Sequence, residues 1–323
     1  MTTASRRAVL AAAGAALAAP ALGQPAWPSG PVRFIGIFPP GGGTDILSRI
    51  WCQKMSELTG QQFVVENRSG SAGNVGTEAI ARAPADGTTI GLASVSSLSI
   101  APTLYARLPF DVRRDFTFIS GLWQLPNLLV VNNDVPAQTV PELIALLRAN
   151  PGKYAYASSG SGTTVHLSGE MFKHLAGLDI LHVPYRGGAP AHVDLIGGRV
   201  HMIFDNIPQS LAEARAGQVR ALAVTGSTRS PMAPEIPTMA EFLPGFEITS
   251  WGGVMGPAGM PRPMVERINA LTKQALESPD LATRFRENGA TPWYTTPEEM
   301  ADFRAANEAA FAPLIRASGA RVD

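Results

Sequence analysis

The 323-residue sequence contains one cysteine, Cys52. A single thiol builds no disulfide framework and no thiolate metal cluster. An excess of positive charge is also missing, since 26 Lys+Arg residues face 26 Asp+Glu. Nucleic-acid binders usually carry a basic surplus, so no nucleic-acid partner is expected. No segment after the first thirty residues approaches the ~18 consecutive apolar residues of a membrane span. Nucleotide motifs are absent where they would be sought. Gly41-Gly42-Gly43 is followed by Thr44-Asp45 rather than the Gly-Lys-Ser/Thr of a P-loop, and Ile46 stands where a dinucleotide fingerprint needs its third glycine. There is no Gly-x-Ser-x-Gly elbow and no His-Glu-x-x-His. The five histidines (His166, His174, His182, His192 and His201) lie close in sequence without metal-ligand spacing. Neither a metal nor a cofactor is expected. Ser161, His166 and Asp205 remain as a conceivable hydrolase set, although His166 reads more simply as a first-turn helix residue.

Hydrophobic residues make up 45% of the chain and charged residues 16%, enough for a packed core. Arg6 and Arg7 precede an Ala/Leu-rich run from Ala8 to Ala19, and Ala21-Leu22-Gly23 offers small residues for cleavage. Residues 1–23 therefore read as a secretory signal. Ser5-Arg6-Arg7-Ala8-Val9-Leu10 resembles a twin-arginine signal, and an ordinary Sec signal is equally open. No cysteine follows the apolar run, as a lipoprotein anchor would require. The expected mature protein starts near Gln24 and is soluble in the periplasm.

The most informative stretch is Phe38-Pro39-Pro40-Gly41-Gly42-Gly43-Thr44-Asp45. The apolar run Val32–Phe38 before it has the length and character of a strand buried on both faces. Leu47, Ile50, Trp51, Met55 and Leu58 after it share one helical face, which Gly60 ends. Three glycines allow φ > 0 and leave backbone N–H groups uncovered. The helix start adds unpaired donors and the positive end of its dipole. Such a loop suits a carboxylate or phosphate, or it is a plain strand-to-helix turn. Asp45 in the first turn uses some of that positive field. Cys52, in the helix beside Trp51, reads as a buried thiol.

Similar units recur. Phe63–Val65 leads into a loop with Gly73 and Asn74, and Thr89–Ala93 into Ser94. Strands alternating with helices imply a parallel sheet whose loops gather at its carboxyl edge, where ligands bind. Pro109–Asp115 reads as a surface connection, Leu128–Asn132 as a short strand, and Val140–Ala149 as a helix begun by Thr139 and Pro141. A second set follows: Tyr154–Ala157, the hydroxyl-rich Ser158-Ser159-Gly160-Ser161-Gly162-Thr163 and its helix, then Ile180–Val183 into Pro184-Tyr185-Arg186-Gly187-Gly188, and Val200–Phe204 into Asp205-Asn206. Ile248–Met255 reads as a strand. Helices from Pro263, Pro279 and Pro297 close the chain.

In sum, the motifs Trp27-Pro28, Phe38 to Asp45 with Arg49, Val65-Glu66-Asn67-Arg68, Gly73-Asn74, Pro84-Ala85-Asp86-Gly87, Ser159 to Thr163 with His166-Leu167, His182 to Gly187, Asp205-Asn206 and Gly256-Pro257-Ala258-Gly259 resemble the periplasmic substrate-binding proteins of tripartite tricarboxylate transporters, the Bug family. The resemblance covers essentially all of the mature sequence. It implies an α/β, two-lobed, type II venus-flytrap fold, with lobe 1 at 24–127 and 249–323, lobe 2 at 128–248, and two crossing strands as hinge near Leu128–Val131 and Ile248–Val254. It further implies a monomer that is not an enzyme, captures a small carboxylate and delivers it to membrane transporter subunits. A role as partner of a sensor stays open beside transport. The expected ligand-binding residues are Pro39, Pro40, Gly41, Gly42, Gly43, Asp45, Gly73, Asn74, Ser94, Ser158, Gly160, Gly162, Thr163, His166, Tyr185, Arg186, Gly187 and Asp205. Tyr185 or Trp251 would form an aromatic wall. The pattern departs from the family at Ile35-Gly36-Ile37, and at Trp251-Gly252-Gly253-Val254, where an aromatic often follows the tryptophan.

Overall fold

The computed structural model describes residues 27–318 and 320–322, so the signal segment lies outside the described residues. Strands β1 (Val32–Gly36), β2 (Phe63–Asn67) and β3 (Thr89–Ser94) pair in parallel, with β1 between the other two. Helix α1 (Gly43–Thr59) follows β1. It turns Leu47, Ile50, Trp51 and Met55 into the core and ends at Gly60, whose left-handed backbone lets its N–H reach Ser56 O. Helix α2 spans Asn74–Ala81. After β3 the chain is π-helical over Ser96–Ile100 and helical again over Ala101–Leu104.

The next strand, β4, runs from Phe116 to Asn132, far longer than the short strand expected from the sequence at Leu128–Asn132. Gly121 and Pro126 interrupt its pattern, and prolines inside a run argue against a central strand. Pro126 is tolerated at the point where β4 changes partners. Residues up to Pro126 pair with β9 (Thr249–Pro257). From Asn127 on, β4 pairs with β7 (Met202–Asn206) on one edge and β8 (Val219–Val224) on the other. Between β4 and β7 lie helix α3 (Val140–Arg148), strand β5 (Ala155–Ser158), helix α4 (Thr164–Ala176), strand β6 (Leu181–Pro184) and helix α5 (Gly188–Ile196). Helix α6 (Ile207–Arg215) joins β7 to β8. Strands β7, β5 and β6 pair in parallel in that order. After β9 come helices α7 (Arg262–Glu277) and α8 (Pro279–Glu287), the two-residue strand β10 (Thr291–Pro292) beside β4, and helix α9 (Pro297–Ser318).

The result is two lobes. The first has one large core holding Phe34, Trp51, Trp123, Trp251 and Phe285. The second has a core on each face of its sheet, one around Phe172, Phe204 and Phe246 and the other around Val165, Ile203 and Leu211. Two strands cross between the lobes, β4 and the segment entering β9, and Thr225 stitches them together. Its hydroxyl donates to Ile248 O at 2.6 Å and accepts from Asn127 N at 2.8 Å, while its own N–H reaches Asn127 O at 2.8 Å. Away from this hinge, Leu167 on α4 is fully buried in the first lobe's core. The lobes therefore also meet through α4.

Candidate functional site

A cleft of about 320 Å³ lies between the lobes, within the size range of small-ligand sites. Four helices begin on it. Their N-cap residues, Gly42 (α1), Thr163 (α4), Gly187 (α5) and Asn206 (α6), all line the cleft. Thr163 caps its own helix, accepting from His166 N at 3.3 Å and donating to Gly160 O at 2.8 Å. The other three N-caps make no side-chain cap hydrogen bond. Their first-turn N–H groups are thus left for a ligand, at the positive ends of the helix dipoles. The hydroxyls of Thr44, Ser94, Ser96, Ser159, Thr164 and Ser250 add neutral donors. Arg186 is exposed on the cleft and forms no ion pair among the described residues.

Of the residues expected from the sequence, Pro39, Pro40, Gly41, Gly42, Gly43, Ser94, Thr163, Arg186, Gly187 and Asp205 line this cleft. The others lie behind it or beside it. Only Gly41 among the three loop glycines has a positive φ, 83°. Gly42 is extended, at φ −76°, a conformation any residue adopts, so of the three only Gly41 uses the left-handed freedom of glycine. Asp45 does not line the cleft. It accepts from Gly41 N at 2.9 Å, Arg49 Nε at 2.9 Å and Asn67 Nδ2 at 2.8 Å. Burial works against its charge, but the bonds from Arg49, Gly41 and Asn67 outweigh it and hold the carboxyl below its usual range. It ties the glycine loop to α1 and β2 rather than facing a ligand. Each such bond to a charged group is worth ~1.5–3 kcal/mol. Asp45→Ala is therefore expected to lower unfolding free energy by about 2–4 kcal/mol in urea titration, and unchanged stability would show that the loop does not depend on it. The sign with pH follows. The contribution is complete above the ordinary value of 3.8 and is lost as pH falls through the lower folded value.

In the second lobe, Ser158, Gly160, Gly162 and His166 form the back of the wall. Ser158 Oγ lies 2.7 Å from His182 Nε2, and Gly162 N donates to His166 Nδ1 at 3.3 Å. The two imidazoles lie 4.3 Å apart, tilted by 31°, and Tyr156 stacks on His182 at 4.8 Å. Burial pushes His166 down to about 4 and His182 to about 3, the latter aided by His166 and Lys173. They are neutral packing groups that hold the loop. Gly73 and Asn74 sit at the start of α2, outside the cleft lining, with Asn74 buried. Tyr185 and Trp251 make no aromatic wall. The Tyr185 hydroxyl donates to Asp194 Oδ2 at 2.7 Å, and Trp251 is buried between Trp293 and Phe303 with its Nε1 donating to Asn307. Ser161, His166 and Asp205 do not assemble as a triad, since Asp205 pairs with His192 instead. Among the described residues, no group of three His, Cys, Asp or Glu side chains is placed to hold a metal. Cys52 is buried, and burial pushes its thiol up.

Sequence reasoning missed Asn206, Pro208, Gln209, Ser250 and the Gly188-Ala189-Pro190 start of α5, all on the cleft. The proline in the first turn of α5 and of α6 was an available sign that helices begin there. Nothing in the spacing joins His192 and Glu213 to Asp205, because the three come from α5, α6 and β7.

A two-lobed fold with a crossing-strand hinge and a cleft lined by open helix starts defines an extracytoplasmic-type solute-binding protein. The chain belongs to the tripartite tricarboxylate transporter family of receptors, whose family model matches residues 47–320. A Pseudomonas sp. (strain P51) protein, the UPF0065 protein in the tcbD-tcbE intergenic region, is 42% identical over 86% of this chain and 83% of its own. Protein BugT of Bordetella pertussis is 36% identical, over 95% of both chains. The solved structure of R. palustris Rpa4515 with adipate matches with TM-score 0.88 and 36% identity, over 92% of this chain and 100% of that one. Receptors of this family are periplasmic. No helix among the described residues is long and apolar enough to cross a membrane.

Proposed function

We propose that the protein holds a small carboxylate between its lobes and hands it unchanged to the membrane subunits of a tripartite transporter, docking transiently as a monomer after removal of residues 1–23. The lobes in this reading are 24–127 with 249–323, and 128–248. The observation that carries it is the set of three uncapped helix N-termini on one cleft, with Arg186 as the cationic side chain there. Adipate bound to Rpa4515 supports the ligand class. The Gly41–Gly43 loop meets one end of the ligand and the loop from Ser159 to Thr163 meets the other. A few bonds to charged groups at each end suffice for ~micromolar affinity, about −8 kcal/mol. Among the described residues, Asp205 on the cleft bonds to His192 rather than to a cleft hydroxyl, which supports a ligand left unchanged. The test is calorimetry of the mature protein with mono-, di- and tricarboxylates, followed by product analysis of any that bind. Saturating ligand is also expected to reduce the radius of gyration in small-angle scattering as the lobes close. Absence of binding across the series, or turnover of a bound acid, overturns the proposal.

A further inference from the structure

Asp205 is a carboxylate in a cleft built for carboxylates. It ends β7, lines the cleft and is only 6% exposed. Its Oδ2 accepts from His192 Nε2 at 2.8 Å. His192 is itself 1% exposed, and its Nδ1 bonds to Glu213 Oε2. Glu213 also accepts from Gln209 Nε2 at 3.0 Å, and Gln209 lines the cleft. With a carboxylate oxygen against each ring nitrogen, His192 carries both protons. Burial opposes that charge, but the bonds to Asp205 and Glu213 outweigh it and raise the imidazole to about 9. Asp205 is thereby fixed in orientation, with its Oδ2 turned to the buried ring of His192.

Its second oxygen, Oδ1, has no donor among the described residues. Oδ1 is not among the fully buried unpartnered atoms, and Asp205 lines the cleft, so a ligand or a water there can supply the donor. The chemistry of the surroundings narrows the choice. A second ionised carboxylate at this point would be repelled. An ammonium would meet an imidazolium on the same carboxylate and the N-terminal end of α5, where a Cβ on Gly188 would lie 2.8 Å from Oδ2. A neutral hydroxyl meets neither objection and donates one bond to the free oxygen of Asp205.

Resting on the carboxylate-receptor reading above, we propose that Asp205 is the specificity-determining acceptor of the cleft and selects hydroxycarboxylates, whose chain hydroxyl donates to Asp205 while the carboxylate ends take the open helix N-termini. His192 acts as the positioning residue. A site built to bond a ligand hydroxyl discriminates strongly against the analogue that lacks it.

The experiment is calorimetry on the mature protein with acids that differ only by the hydroxyl: malate against succinate, 2-hydroxyglutarate against glutarate, and mandelate against phenylacetate. Aspartate serves as the ammonium arm. In at least one pair the hydroxy acid is expected to bind about tenfold or more tightly than its partner, and more tightly than aspartate, by the worth of one bond to a charged acceptor. Asp205→Asn, checked for an unchanged melting profile, is expected to bring that ratio to about threefold or less. Equal binding within every pair overturns the inference and leaves the carboxylate reading standing, and so does preference for aspartate. A ratio unmoved in Asp205→Asn removes Asp205 from the role. Binding of none of these acids, with none of the wider carboxylate series bound either, overturns both. The wild-type ratios decide the question even if the variant fails to fold.

Discussion

Gly43→Val is expected to weaken ligand binding by about 10- to 100-fold while leaving the melting temperature of the free protein nearly unchanged. Gly43 opens α1 on the first-lobe wall of the cleft. A Cβ added there would lie 3.7 Å from Asn206 Oδ1, 3.8 Å from Asn206 Cβ and 3.9 Å from Leu125 Cδ2. Those are ordinary contacts, so alanine fits. Valine puts two further methyl groups into the same space, and Asn206 is not free to give way, since its Nδ2 donates to Asn127 Oδ1 at 2.8 Å. Overpacking of this kind costs ~1–3 kcal/mol. The cost falls on the closed arrangement, in which the two lobes approach, and so it appears as lost affinity rather than lost stability. Gly43→Ala is the control and is expected to stay within about threefold of wild type. Calorimetry with any acid shown to bind checks both. Full affinity in Gly43→Val would mean that the contact between Gly43 and Asn206 is not part of the closed state.

The same pair shows how much of the site the sequence could reveal. Pro39 to Gly43 were readable because they are contiguous and sit between a buried strand and an amphipathic helix. Asn206 was readable only as half of a motif, because its place opposite Gly43 depends on how two distant lobes face each other. Asp45 was expected on the cleft and stands behind it for a related reason. An acid in the first turn beside a glycine loop looks like a site residue, but Asn67 on the neighbouring strand and Arg49 one turn later already use its oxygens. His192 and Glu213 carried no local sign at all, since their pairing is made by the packing of α5 against α6. The recurring strand-loop-helix units and the final helices were legible from periodicity and from glycine and proline placement. The long β4 was not, because Gly121 and Pro126 break its pattern at points where tertiary contacts require them. A Cβ at Gly121 would strike Trp293 O at 2.7 Å.

Glycine at position 252 is a second case of tertiary demand, and Gly252→Phe is expected to be the most damaging single change considered. Gly252 on β9 is the cross-strand partner of Trp123 on β4. A Cβ on it would lie 2.3 Å from both Cε2 and Cζ2 of that indole. Trp123 is fully buried and packs edge-on against Phe285 at 5.8 Å, so its ring has nowhere to move. The space beside residue 252 is filled by Trp123 from the neighbouring strand. Gly252→Phe should therefore fail to fold or lose more than ~4 kcal/mol, beyond the usual range of overpacking. Trp123→Ala alone is expected to cost about 3–5 kcal/mol through the cavity it leaves. In the double variant the phenylalanine ring enters that cavity. The pair should then be more stable than Gly252→Phe alone, with a favourable coupling of about 2–3 kcal/mol, at the upper end for residues in contact. Urea unfolding of the wild type, both single variants and the double variant measures this coupling. Additive losses, or a Gly252→Phe protein as stable as wild type, would show that Trp123 does not fill the space beside residue 252.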